Sequence, residues 1–266
     1  MIKNQKPKSK PTSKTNLSVS LPLVSFLLLF PLIVYSYFQT LKKPVTSPSK
    51  PTNLEQITTA ELIKPITLPT VSFDSRTSVE KALKQRRSQR TFTDEAITLK
   101  QVSQLLWAAQ GITTDWGGRT APSAKSTYPL TVYLLATKIN DLNPGLYRYL
   151  PGTRTPLHQL ALVKPGTLRD DLGKTVGQNS INSAPGVIII TGDFAKMASA
   201  FDGARSDYDV YLEAGHVGQN LYLESESLGL GMVTLTGFTT DKVATLLTIP
   251  ENETIIYIIP IGVPKN

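Results

Sequence analysis

Apolar residues return at Val102, Leu105, Leu106 and Ala109 within TLKQVSQLLWAAQGI, residues 98–112. That three- and four-residue spacing predicts a helix with one buried face, capped by Thr98 and ended by Gly111. A shorter helix is expected over SVEKALKQRRS, 78–88, with Ser78 as its cap and Val79, Ala82 and Leu83 on one face. The longest helical stretch, 208–231, carries Leu212, Val217, Leu221, Leu223 and Leu228 and leaves little polar surface. It is therefore expected in a core or a dimer interface. TDKVATLLTI, 240–249, gives a further helix. Strands are expected at 130–137, which alternates, at 145–152, at 231–238 and at 253–264. APGVIIITGD, 184–193, holds an unbroken apolar run, the signature of a buried central strand. Helices and strands interleave, so the class is α/β or α+β.

The pattern changes towards the N-terminus. From Thr15 to Leu41 no residue is charged, and Lys42 and Lys43 end the run. A bilayer core needs about 20 apolar residues as helix, so residues 17–41 are expected to form a transmembrane anchor, with Pro22 and Pro31 as kinks. No A-x-A-like site follows, which speaks against a cleaved signal peptide. Four segments result: a basic tail over 1–16, the anchor over 17–41, a Pro/Ser/Thr-rich spacer over 42–72 and a folded domain over 73–266. Five lysines precede the anchor and Lys42, Lys43 and Lys50 follow it. The positive-inside rule then gives a single-pass membrane protein with its domain extracytoplasmic.

Charge and composition narrow the function. The chain has 266 residues, no cysteine and a net charge of +8. Residues 1–70 hold nine lysines against Glu55 and Glu61; residues 71–266 hold 19 Lys or Arg against 18 Asp or Glu. The folded part is nearly neutral, so no nucleic-acid partner is expected. The absence of cysteine excludes disulfides and thiolate metal sites.

The densest chemistry is RRSQRTF, 86–92. A helix end attracts basic residues, which accounts for Arg86 and Arg87 more readily than for Arg90. Arginine forks also grip phosphate oxygens, and Ser88 adds a hydroxyl. On the cluster alone the two readings stand level. GGRTAPSAKSTYP, 117–129, suits close approach of backbone to a ligand or a plain surface loop. His158 and His216 are the only histidines, and a lone histidine such as His216 in an apolar helix is usually a satisfied core residue. No Ser-His-Asp set, no metal-ligand spacing and no dinucleotide glycine motif between strand and helix is present.

In order, RRSQRTF, VSQLLWAAQGIT, RTAPSAKSTYPLTVYLL, PGLYRY, APGVIIITGDF, YLEAGHVGQNLYLESESLGLGMVTLTGF and IIYIIPIGVP resemble the flavin-dependent nitroreductase family over about residues 78–264. APSA…YPL and EAGH..QNLYL are similar to its SagB/thiazoline-oxidase-like branch. The resemblance implies an α+β fold, a mixed central sheet flanked by helices, and an intertwined homodimer with FMN at its interface. It implies that Arg86, Arg87, Ser88 and Arg90 hold the FMN phosphate and ribityl chain, with Lys265 as a further basic residue. Pro122 and Ser123 would come from the partner subunit, and Leu235, Thr236 and Gly237 would lie against the isoalloxazine. Many relatives have Glu where Thr236 stands, so electron-donor preference does not carry over. The implied activity is ping-pong oxidoreduction: NAD(P)H or another donor reduces FMN at N5, and a small-molecule or peptide acceptor reoxidises it. No side chain is assigned as acid or base, although Tyr128, Arg205 and Tyr208 are candidates to serve a substrate. The alternatives are a SagB-like azoline dehydrogenase of modified peptides and a membrane-tethered flavin-binding domain without turnover.

Overall fold

The computed structural model describes residues 64–203 and 206–265. Seven strands form one sheet among the described residues. They are β1 (Ile66–Thr67), β3 (Leu130–Ala136), β5 (Gly145–Gly152), β6 (Pro156–Pro165), β7 (Gly186–Gly192), β8 (Gly231–Met232) and β9 (Thr254–Gly262). Their order is β1-β6-β5-β3-β7-β9-β8, and each neighbouring pair is antiparallel. Parallel pairing enters at the edge, where Ser88 bridges Met232, and in a separate ribbon of β2 (Ile97–Thr98) and β4 (Ile139–Asn140). The sheet is mixed in that sense.

Strand periodicity sorts side chains into two cores. Leu130, Val132, Leu134 and Ala136 of β3 enter one, with Ile188 and Ile190 of β7. The intervening Tyr133, Leu135, Val187 and Ile189 enter the other. Successive strand residues point to opposite faces, and burial on both faces explains the unbroken apolar run of β7. The first core is closed by α2 (Leu99–Gln110) and α6 (Ser206–Ser227), the second by α3 (Arg169–Val176), α4 (Asn179–Asn182) and α7 (Thr240–Leu247). Two more α-helices occur among the described residues: α1 (Val79–Gln85) and α5 (Phe194–Ala200).

The helix over 98–112 has the expected cap, extended to a capping box: Thr98 Oγ1 accepts from the Gln101 N–H, and the Thr98 N–H donates to Gln101 Oε1. In α6, Val217 and Leu221 are buried as expected, whereas Leu212 is 55% exposed on this chain. His216 is exposed rather than a core residue. The expected strand over 231–238 contracts to β8 and one bridge from Leu235 to Ile258.

The end of the expected spacer is folded. Ile66 and Thr67 pair with β6, Leu68 is buried, and Gln104 clasps the Ser72 backbone through both its amide atoms. The expectation of a single-pass membrane protein with an extracytoplasmic domain is corrected. No helix among the described residues is long and apolar enough to cross a membrane, and residues 17–41, which carried that expectation, lie outside those described.

Candidate functional site

Helix α1 stops at Gln85, and the backbone leaves the helical region at Arg86. Beyond it the chain runs along the sheet edge: the Gln89 N–H donates to the Met232 carbonyl and the Thr93 N–H to that of Val263. Gly231 permits this approach, since a Cβ there would stand 2.7 Å from Gln89 Cβ. Extension makes alternate residues face opposite ways. Arg86 and Ser88 both meet Tyr222 of α6. The Arg86 guanidinium carbon lies 5.0 Å from the ring centre, and Ser88 Oγ is 3.0 Å from the phenol oxygen. Arg87 and Gln89 line a different cavity, with Glu226 and Leu230. The Arg87 guanidinium donates to the carbonyls of Lys84 and Arg86. Arg90 reaches the Ser88 carbonyl at 3.4 Å. The C-terminal end of the chain runs alongside, the Lys265 N–H donating to the Thr91 carbonyl.

Tyr222 joins two parts of this face, because its oxygen also accepts the Thr234 N–H at 3.2 Å. Residues 234–237 follow directly. Leu235 is pinned to Ile258 by two backbone hydrogen bonds, while Thr236 and Gly237 are exposed and nothing would crowd a side chain at Gly237.

The loop with Pro122 and Ser123 is fixed by another residue of α6. Glu213 is 4% exposed and accepts from the Ser123 hydroxyl and the Ala124 N–H, both at 2.9 Å. Burial raises its carboxyl above the usual range, against the pull of those two donors. The Tyr128 N–H closes the loop on Ser123 Oγ at 2.7 Å. Lys125, Ser126 and Tyr128 all have left-handed backbone, which costs roughly 1 kcal/mol or more per non-glycine residue. Glu213 and these hydrogen bonds hold that strained path. Neither Glu213 nor Tyr222 was singled out from the sequence. Both stand in EAGHVGQNLY, nine residues apart, where nothing in the spacing marks them out from His216, Gln219 and Asn220.

Of the sequence candidates, Arg86 and Ser88 meet at Tyr222, Arg90 reaches the Ser88 carbonyl, residues 235–237 follow Thr234, which Tyr222 holds, and Lys265 runs beside Thr91. Arg87 faces away, and Pro122 and Ser123 stand apart in the Glu213 loop of the same chain. Arg205 lies outside the described residues. His158, left without a role by the sequence, is half-buried between Ser103 Oγ at 2.7 Å and the Tyr149 hydroxyl at 2.9 Å. Burial lowers it below the ordinary histidine range. Ser103 is fully buried, so this line of hydroxyls and imidazole ties α2 to β5 and β6 and offers no nucleophile. No group of three or more metal-ligating side chains occurs among the described residues.

The sequence pattern of the nitroreductase family matches residues 83–263. The chain belongs to the nitroreductase family. A Methanocaldococcus jannaschii protein named for the nitroreductases is 32% identical over 185 residues, spanning 69% of this chain and 90% of that one. A crystal structure from Ralstonia eutropha, likewise named for the family, superposes with a TM-score of 0.65 at 29% identity, covering 76% of this chain and 90% of the other. The NADPH:FMN oxidoreductase of Vibrio harveyi, solved with NAD+, shares the fold at a TM-score of 0.50 and 20% identity, over 71% of this chain and 69% of that one. An oxidoreductase of nitroreductase fold is the general class these likenesses give.

Proposed function

We propose that this chain is an FMN-dependent oxidoreductase that takes hydride from NAD(P)H or another donor and delivers it to a small-molecule or peptide acceptor. The observation that carries the reading is the donor set at the Tyr222 edge. Arg86 and Ser88 converge there, Arg90 adjoins them, and none of these arginines is ion-paired among the described residues. Uncompensated guanidinium groups beside a hydroxyl fit a phosphate dianion, to which charge-assisted hydrogen bonds are strongest. The residues present therefore suit FMN. Arg86, Ser88 and Arg90 would hold its phosphate and ribityl chain, with Lys265 beside them, and Leu235, Thr236 and Gly237 would face its ring. Arg87 would contribute charge from behind rather than a direct bond. Pro122 and Ser123 of a second copy would complete the site in a homodimer.

When bound, FMN supplies the atom that accepts and returns hydride, chemistry that no side chain here provides. The chain's own residues do the positioning. Tyr222 orients the Ser88 hydroxyl while holding the Thr234 N–H, and so links the phosphate end to the ring segment. Glu213 keeps the Ser123 loop in its strained path. The exposed Gly237 leaves backbone open to close approach. Thr236 places a hydroxyl, not a carboxylate, at this edge, which removes a negative charge from the path of an anionic donor.

The test is to purify the protein, record its visible spectrum after incubation with FMN, and add NADH or NADPH without oxygen. Retained yellow colour that bleaches with a donor and returns with an acceptor is expected. A colourless protein that takes up no FMN would overturn the reading. Bound FMN that no donor reduces would leave a flavin-binding domain without turnover, and activity only on azoline rings would identify the peptide dehydrogenase.

A further inference from the structure

The ladder between β3 and β5 runs from Ala136–Gly145 to Tyr133–Arg148 and stops. Beyond it, Leu130–Val132 remain paired to β7, while Tyr149–Gly152 remain paired to β6. Two neighbouring strands of one sheet thus part like a fork. A cavity of about 250 Å³ fills the opening. Three cations reach it from three elements: Arg119 from the loop after α2, Arg148 from β5 and Lys196 from α5. No carboxylate lines it among the described residues.

Arg148 is matched by the buried Glu253 at 3.5 Å. Arg119 and Lys196 have no ion pair among the described residues. Arg119 spends one terminal nitrogen on Gln110 Oε1 at 2.7 Å and lies 4.4 Å over the Tyr128 ring. Its Nε is buried and has no partner among the described residues. Lys196 donates to the Tyr128 carbonyl at 2.9 Å, which brings both cations to one residue. Burial, then the charge of Arg119, lower Lys196 below the usual lysine range. Two acids stand near the pair and both are engaged: Asp193 accepts the Lys196 backbone N–H and the Asn252 amide, and Glu213 of α6 serves Ser123 and Ala124. A half-buried guanidinium without an ion pair is costly, and its unsatisfied Nε–H adds to that cost. An anion in the cavity relieves both. The apolar part of its wall is formed by Leu130, Val132, Leu150, Pro151 and Leu157.

We propose that the fork between β3 and β5 binds a small carboxylate: its anionic head accepts hydrogen bonds from Arg119 and Lys196, and its apolar or aromatic body lies against Leu150 and Pro151. A guanidinium edge matches the planar carboxylate. A phosphate dianion suits the site less, because the apolar wall cannot solvate its remaining charge. The fork shares no residue with the Tyr222 edge, although Arg119 and Tyr128 belong to the loop whose Pro122 and Ser123 the flavin reading gives to a second copy.

The test is isothermal titration of the full chain, FMN-loaded and FMN-free, with benzoate and hexanoate as probes. Benzyl alcohol and inorganic phosphate are the comparisons. At least one of the two carboxylates should bind about tenfold or more tightly than either comparison, the ratio for one charge-assisted hydrogen bond. Lys196→Gln and Arg119→Gln should each weaken it about tenfold or more, and Lys81→Gln should not. Arg119 is partly buried and its variant is read only if it folds; Lys196 is exposed on a short helix and decides the matter alone. No carboxylate binding, binding no tighter than benzyl alcohol, or binding unchanged in Lys196→Gln would overturn the proposal. Tighter binding of phosphate would overturn the assigned ligand class.

Discussion

The segment from Arg86 to Arg90 and the fork between β3 and β5 both gather positive charge, by opposite routes. The first strings three arginines along one extended stretch at the sheet edge. Only alternate residues can face one way there, so Arg86 and Ser88 share Tyr222 while Arg87 turns to another cavity. The second draws Arg119, Arg148 and Lys196 from positions up to 77 residues apart, between two strands that cease to pair. In the segment, the guanidinium groups of Arg87 and Arg90 rest on the chain's own carbonyls and stand exposed to water. In the fork, Arg119 is half-buried with an unpartnered nitrogen. An exposed cluster can wait for a ligand at little cost to folding. A half-buried guanidinium such as that of Arg119 is costly to the fold until its counter-charge arrives.

The comparison breaks most readily at the segment. Arg86→Ala is expected to weaken FMN binding by about ten- to a hundredfold, since a hydrogen bond to a charged group is worth roughly 1.5–3 kcal/mol. Arg87→Ala, one residue on, should cost less than about threefold, because its guanidinium faces away. Fluorescence titration with FMN measures both, and equal losses would show that alternation along the segment does not decide the site. Tyr222→Phe removes the oxygen that holds Ser88 and the Thr234 N–H. A neutral hydrogen bond contributes roughly 0.5–1.5 kcal/mol, so a loss of about two- to tenfold is expected. An unchanged dissociation constant would deny Tyr222 its linking role.

Smaller effects come from titration near the fork. Burial raises the Glu213 carboxyl, so folding favours its protonated form. The cost of charging it is absent below its unfolded value of 4.5 and grows as pH rises through the higher folded value. Glu213→Gln does not titrate, so its stability relative to the parent should improve as pH rises above 4.5. Urea midpoints across that range check the sign, and a difference that is flat with pH would refute it. His158 behaves in the opposite sense. Burial lowers it from 6.5, so its contribution is complete above that value and is lost as pH falls through the folded one. His158→Gln should flatten the acid limb of the stability profile, again read from urea midpoints, and an unaltered limb would count against the buried neutral imidazole.

What the sequence disclosed follows the same division. Elements with one dominant period were legible: the capped helix at 98–112, the alternating β3 and the apolar β7, whose burial on both faces accounts for its unbroken run. β6 was not, because Leu160, Ala161, Leu162 and Val163 stand in a row and hide the alternation of an outer strand. The 231–238 stretch read as one strand because Met232, Val233 and Leu235 are apolar, but only β8 and one bridge pair with β9. The arginine segment was visible because its residues adjoin in sequence, although the chain's direction, which sets Arg87 apart, was not. Glu213, Tyr222 and the fork were hidden because each depends on residues distant in sequence that meet only when α6 packs and the sheet divides. The N-terminal apolar run was read as an anchor from length and charge alone, and the described helices offer no membrane span.

The central claim is that the face of Arg86 and Ser88 reads a phosphate. Titrating the purified chain with FMN and with riboflavin, which differ by that group alone, tests it most directly. Two charge-assisted contacts at roughly 1.5–3 kcal/mol each predict that FMN binds about a hundredfold or more tightly. Riboflavin bound as tightly as FMN would contradict the account.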